Sequence, residues 1–263
     1  MQIPLRGSPP HQPILSPPLL LRALAGIRFS SVLKIGDETG AGIADFQDVV
    51  RSLYPFVQLE HEQALRFEVK QDGSIDSFPE RHPAWRFQDK HKRWRMSLTP
   101  TSAYLDVGAD GYDSWGEFSS RMAVIVDAVA EHFSPGLVLH SGVRYANLAS
   151  VDDGKDPRAT CARELVSITG NPDLVHADLQ WRFAVDEGLL ILRSGLLPPG
   201  TTYDPVVVEP RPDRNWYLDI DVVNADMRDF DASEIKQSVE SQSARAHAIY
   251  CWAMSGPSSS KVS

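Results

Sequence analysis

The chain has 263 residues, 42% hydrophobic and 23% charged, with a net charge of −9, a composition that supports the core of one large or two small globular domains. That acidity disfavours non-specific binding to a phosphate backbone. Cys161 and Cys251 stand far apart without CxxC spacing, which argues against a disulfide framework or a zinc site and fits a reducing, cytoplasmic setting.

Residues 1–19 hold six prolines and read as an extended, surface-bound extension. Pro17 and Pro18 interrupt its apolar run, no signal-peptide pattern is present, and no stretch approaches a membrane span. "RALAGIRFS" reads as a strand. Phe46, Val49, Val50 and Leu53 recur at helical spacing over 46–54. "LRFEVKQDGSID" reads as a strand entering a turn at Asp72-Gly73, and residues 85–87, 94–98 and 103–107 read as three more strands. Ser114, with Glu117 three residues on, opens a helix whose stripe is Phe118, Met122, Ile125, Val129 and Phe133, stopped by Ser134-Pro135-Gly136.

The second half follows the same order. "LVLHSGVRYANLAS" is a strand, "CARELVSI" is helix-like, and "LQWRFAVD" and "LLILRSGL" form a hairpin about Glu187-Gly188. "NWYLDIDVV" is a further strand, and a long helix over 232–254 begins at Asp231 or Ser233. The tail 255–263 is low in complexity and reads as disordered. Three short matches keep this order. "GIRF" at Gly26 and "GVRY" at Gly142 lie 116 residues apart, the two "WRF" triplets at Trp85 and Trp181 lie 96 apart, and "YLD" at Tyr104 and Tyr217 lies 113 apart. Together they predict an internal duplication of a strand–helix–strands–helix unit. The expected fold is α+β with a mainly antiparallel sheet, repeats at 20–136 and 137–254, and long helices packed on one face.

These residues resemble an uncharacterised, sporadically distributed bacterial protein family of about this length. The resemblance rests on Pro17-Pro18 leading into Ile27-Arg28-Phe29, on Tyr112 and Trp115, on "GVRYAN" ending at Asn147, and on "YLDID". The longer Pro-rich start and the Ser-rich tail depart from it. The resemblance implies the fold and supplies no reaction, cofactor or partner.

The candidate ligand-binding residues are Arg28, Arg144, Asn147, Asp106, Asp219 and Asp221. Alternation sets Arg28 and Arg144 opposite their apolar neighbours, and places Asp219 and Asp221 on one face. Two readings follow: buried Arg–Asp pairs that fix strand register, or a polar groove in which the arginines grip an anionic or carbonyl ligand. The basic, aromatic stretch 81–95 reads as a solvated hairpin or as a surface for nucleic acid or an acidic partner. Outside that hairpin, nucleic acid is not an expected partner. No metal spacing is present and no cofactor is implied, although His82, His91 and His140 are free to converge in space. "GDETGAG" lacks a phosphate-loop pattern, Ser141 sits in no nucleophile elbow, and Cys161, near a helix start, has no identifiable His partner.

Three functions remain open. The first is a non-enzymatic binding or regulatory module of undefined ligand, with a small molecule or a protein as its partner. The second is the protein-partner component of a mobile accessory system, such as phage defence or toxin neutralisation. The third is an enzyme whose site assembles only in space.

Overall fold

In the computed structural model, which describes residues 2–9, 19–69, 75–151, 161–166, 169, 171 and 173–255 (63–69 and 75–80 as backbone only), ten strands join one sheet. They are β1 (Leu20–Phe29), β2 (Phe56–Val69), β3 (Ile75–Gln88), β4 (Trp94–Thr99), β5 (Ser102–Gly108), β6 (Leu137–Ser150), β7 (Ala177–Val185), β8 (Gly188–Leu197), β9 (Asn215–Asn224) and β10 (Arg228–Asp229). Four helices accompany them among the described residues: α1 (Ala44–Val50), α2 (Trp115–Phe133), α3 (Arg163–Val166) and α4 (Ala232–Ala253). Strand order is β2-β3-β4-β5-β1-β6-β9-β8-β7, with β10 on β6. Every pairing is antiparallel. The fold is α+β, as the alternating strands and two amphipathic helices predict.

Alternation decides the two faces of the sheet. Ala23, Ala25, Ile27 and Phe29 of β1 are buried together with Leu105 and Val107 of β5, Val143 of β6 and Ile220 and Val222 of β9. The α2 stripe of Phe118, Met122, Ile125, Val129 and Phe133 joins this core, as do Ile235, Val239, Ala246 and Ile249 of α4. Both helices therefore cover one face, and they touch each other through Trp115 Nε1–Glu240 at 2.7 Å and Lys236–Asp127 at 2.6 Å. Ser114 caps α2 by accepting from the Glu117 N–H, and Asp231 caps α4 by accepting from Ser233 and Glu234. Each cap answers N–H groups that the first helical turn cannot.

The β7–β8 turn is Asp186-Glu187, one residue earlier than expected, because Val185 pairs with Gly188. Gly188 has φ +127, and a Cβ there would collide with the Val223 carbonyl. Glycine is required at this point by sterics. The expected turn at Asp72-Gly73, the prolines at 10–18, the end of the helix-like "CARELVSI" and the tail from 256 lie outside the described residues.

Candidate ligand site on the helix-free sheet face

Residues directly opposite in an antiparallel ladder share a face, so the register assembles the helix-free surface row by row. At its centre Ser97, Tyr104, Gly26, Gly142 and Val223 stand side by side on five neighbouring strands. Two residues further along β1, Arg28 faces His140, and two residues back Leu24 faces Arg144, which in turn faces Asp221. The middle of the sheet thus has a floor of two glycines. Tyr104 lies over one of them, since a Cβ on Gly26 would overlap its ring. The His140 ring lies beside the other, with Cε1 3.3 Å from the Cβ position of Gly142.

Around this floor most charges are already paired. Asp106 on β5 accepts from Arg22 on β1 through both carboxylate oxygens and from Arg95 on β4 at 3.0 Å. Asp219 on β9 accepts from Arg144 on β6 at 2.6 and 2.9 Å, with Arg193 on β8 at 4.0 Å. These two groups occupy matching places in the ladders. Arg95 and Arg193 lie directly opposite their aspartates, and each aspartate faces the residue two beyond its central arginine, Leu24 or Ala146. Asp106 is paired with Arg22 and not with Arg28. Arg28 instead faces Ser102 across the β1–β5 ladder.

A loop between β8 and β9 closes over the second group. Asp204 accepts from Arg144 at 2.8 Å, the Val206 carbonyl accepts from Arg22 at 2.6 Å, and Tyr203 stacks on Tyr217 with centroids 4.0 Å apart. Val207 and Val208 pack with Ala146 beneath. Burial opposes ionisation of Arg144, but the hydrogen bond and charge of Asp219 outweigh it and raise its pKa. Burial likewise pushes Asp204 up, and Arg144 more than reverses it.

Two side chains beside the glycine floor lack such partners. Arg28 is exposed and makes no hydrogen bond or ion pair among the described residues. Asp221 is likewise without a hydrogen bond there. Burial, with Asp219 next to it, pushes its carboxyl up to about 6 against the pull of Arg144 and Arg193. Burial and the Arg28 charge hold His140 below the usual imidazole range, and its Nδ1 is buried without a partner. The Tyr104 phenol, raised mainly by burial, feels both Arg28 and Asp221. Four groups of differing chemistry therefore converge above the floor: a free guanidinium, a neutral imidazole, a phenol and an unpaired carboxyl.

Of the sequence candidates, Arg28 and Asp221 border this patch, while Arg144, Asp106 and Asp219 form its paired framework. Asn147 does not belong to it. It lies on the helix side, 1% exposed, where its Nδ2 donates to the Tyr145 and Leu218 carbonyls. The basic stretch 81–95 also turns its aromatics inward: Phe87 and Trp94 are buried, and Trp85 donates to the Ile35 carbonyl at 3.0 Å. Those rings are not presented to bases, and Arg86 is held by Glu60 and Glu62. Sequence reasoning missed Arg22, Arg95, Arg193 and Tyr104. Arg22 shares a face with Arg28, so alternation offered a signal for it, but only the register reveals its partner.

A cleft of about 610 Å³ opens near the β3–β4 turn, lined among others by Asp89, His91, Asp110 and Arg121. Some of its charges are satisfied within the protein. Arg121 lies 4.4 Å over the Trp94 ring and donates to Glu117 at 2.9 Å, and Asp89 accepts from the Arg93 and Trp94 N–H groups. Among the described residues no group of three His, Cys, Asp or Glu side chains is arranged to hold a metal ion. Cys161 and Cys251 are not joined in a disulfide, and the Cys161 thiol lies 3.8 Å from the Met254 sulfur. Among the described residues no helix is long and apolar enough to cross a membrane. No protein-family model matches the chain, and no curated protein matches it.

Proposed function

We propose that the chain is a non-enzymatic, cytoplasmic binding module whose site is the centre of the helix-free sheet face. Its ligand is a small polar molecule with an anionic group for Arg28 and a donor for Asp221. One observation carries this reading. On a face where Arg22, Arg86, Arg95 and Arg144 all have carboxylate partners, Arg28 and Asp221 beside the glycine floor have none among the described residues. A planar guanidinium left exposed beside a phenol and a neutral imidazole is suited to a carboxylate or phosphate.

We also read the molecule as two fused repeats, 20–136 and 137–254. The strand order supports this: from the centre outwards it runs β1, β5, β4, β3 on one side and β6, β9, β8, β7 on the other, with β2 added outside β3 and without a counterpart. The matching Arg–Asp–Arg groups support it as well.

The reading is tested by native mass spectrometry of wild-type protein and of Arg28→Met, purified side by side. The expected result is a small-molecule adduct on the wild type that is lost in the variant, with unchanged melting temperatures. The same adduct on both proteins refutes the role of Arg28. A wild type that carries nothing and does not respond to simple carboxylates and phosphates refutes the small-ligand reading.

A protein-partner reading has its own support in the β2–β3 ribbon. The β2–β3 ladder runs over all fourteen residues of each strand, whereas β4 pairs only with Trp85–Gln88 of β3. Ten ladder positions therefore run on as a two-stranded arm, roughly 33 Å long. Shortening the arm should leave the melt and the adduct unchanged while removing any stoichiometric protein partner. An unchanged partner complex would dismiss this reading.

A further inference from the structure

Arg245 of α4 is a fully buried cation, and half of its partners come from the other end of the chain. Its Nε and Nη2 donate to Glu187 of the β7–β8 turn at 2.8 and 3.1 Å, forming a buried ion pair. Nη1 donates to the Pro4 carbonyl at 2.6 Å, and Nη2 also donates to the Gly7 carbonyl. The same segment is held at two further points. Asp186 accepts from the Gly7 N–H at 2.8 Å and from Arg6 Nη1 at 2.9 Å. Ile3 and Leu5 pack against the core.

These contacts divide as in peptide recognition. Main-chain carbonyls and one N–H supply the grip, and side chains supply selectivity. Ile3 and Leu5, two residues apart with Pro4 between them, provide apolar anchors. Gly7 has φ +76, a conformation that other residues adopt only at a cost. Arg6, the exposed member, reads the Asp186 carboxylate. Without the segment, a guanidinium within the core would keep one carboxylate and lose both carbonyl acceptors, a costly deficit for a buried charge.

We propose that Arg245, Glu187 and Asp186 form a peptide-binding socket, separate from the sheet-face site. Its ligand is a short segment of the pattern Ile-Pro-Leu-Arg-Gly, supplied in cis by residues 3–7. A tethered ligand has a high effective concentration, so the socket is filled by its own chain and opens to an added peptide once the tether is cut.

The test places a protease site within residues 10–18 of the full chain, cuts it in the folded protein, and adds excess isotope-labelled peptide MQIPLRGSP. Native mass spectrometry should show the cut segment retained and then exchanged for the labelled peptide. Peptide carrying Gly7→Ala should compete about tenfold more weakly, and Asp186→Asn protein should bind several-fold more weakly with its circular dichroism unchanged. If cutting unfolds the protein, recovery of the fold on adding the peptide supports the socket, and failure to recover overturns it. A cut protein that stays folded without binding the labelled peptide, or that binds a scrambled peptide equally, overturns it as well.

Discussion

Arg28 and Arg144 look alike in the sequence and should behave oppositely when replaced. Arg144 is joined to Asp219, which is 1% exposed, so Arg144→Met strands a buried carboxylate beside Arg193 at 4.0 Å. The expected loss is about 3–5 kcal/mol, a fall in Tm of roughly 10 °C for a chain of this size. Arg144→Met with Asp219→Leu should recover much of it, as coupled partners do. Arg28→Met removes an exposed side chain without an ion pair and should shift Tm by less than about 2 °C. Parallel thermal melts decide this. Asp221 gives a second prediction. Its carboxyl, pushed up to about 6 by burial and Asp219, holds its proton more tightly in the folded state than in the unfolded chain. Stability should therefore fall as pH rises from about 4 to about 6, by on the order of 2 kcal/mol, and stay low above that. Asp221→Asn should abolish that slope and raise Tm at neutral pH, as melts across pH 4–8 would reveal. The alternation that places these residues on one face was legible in the sequence. Which arginine meets which aspartate was not, because a period of two fixes the face of a strand and says nothing of its register.

At the scale of elements the helices were the most legible part. Ser114, Asp231 and the α2 stripe foretold both starts and the buried face, since a cap and a stripe are local signals. Ladders are non-local, and there the sequence misled. Of the three internal matches, the "YLD" pair keeps register: Tyr104 faces Gly26, four beyond Arg22, and Tyr217 faces Leu148, four beyond Arg144. The "GIRF" and "GVRY" pair does not, because Gly142 faces Val223 where Gly26 faces Tyr104. The "WRF" triplets also differ. Arg95 faces Gln88, just after the first triplet, and Arg193 faces Gln180, just before the second. A test of the central ladder follows from Gly26, whose missing side chain makes room for the Tyr104 ring. Gly26→Ala should cost roughly 1–3 kcal/mol by overpacking, and adding Tyr104→Ser should restore most of it. Chemical denaturation of the single and double variants measures the difference. Equal losses in the two would place the clash elsewhere.

For the molecule as a whole, the β1–β6 seam joins the two halves into one sheet, with nine paired positions from Leu20↔Asn147 to Phe29↔Val138. Residues 1–136 or 137–263 alone would leave a long apolar central strand as an open edge, which favours aggregation over folding. Neither half should fold when expressed alone, while co-expression should return a complex with the wild-type circular dichroism spectrum. Docking of residues 3–7 under Arg245 was illegible in the sequence, because the partners are some 240 positions apart and the prolines pointed to an extension. In the proposed function a small anionic ligand lies between Arg28 and Asp221. Chemical-shift mapping of isotope-labelled protein, titrated with simple carboxylates and phosphates, tests it most directly. Saturable shifts clustered at Gly26, Arg28, Tyr104, His140, Gly142 and Asp221 are expected, together with their loss in Arg28→Met. Shifts centred on the cleft around Arg121, or no saturable shift with any of these anions, would contradict that placement.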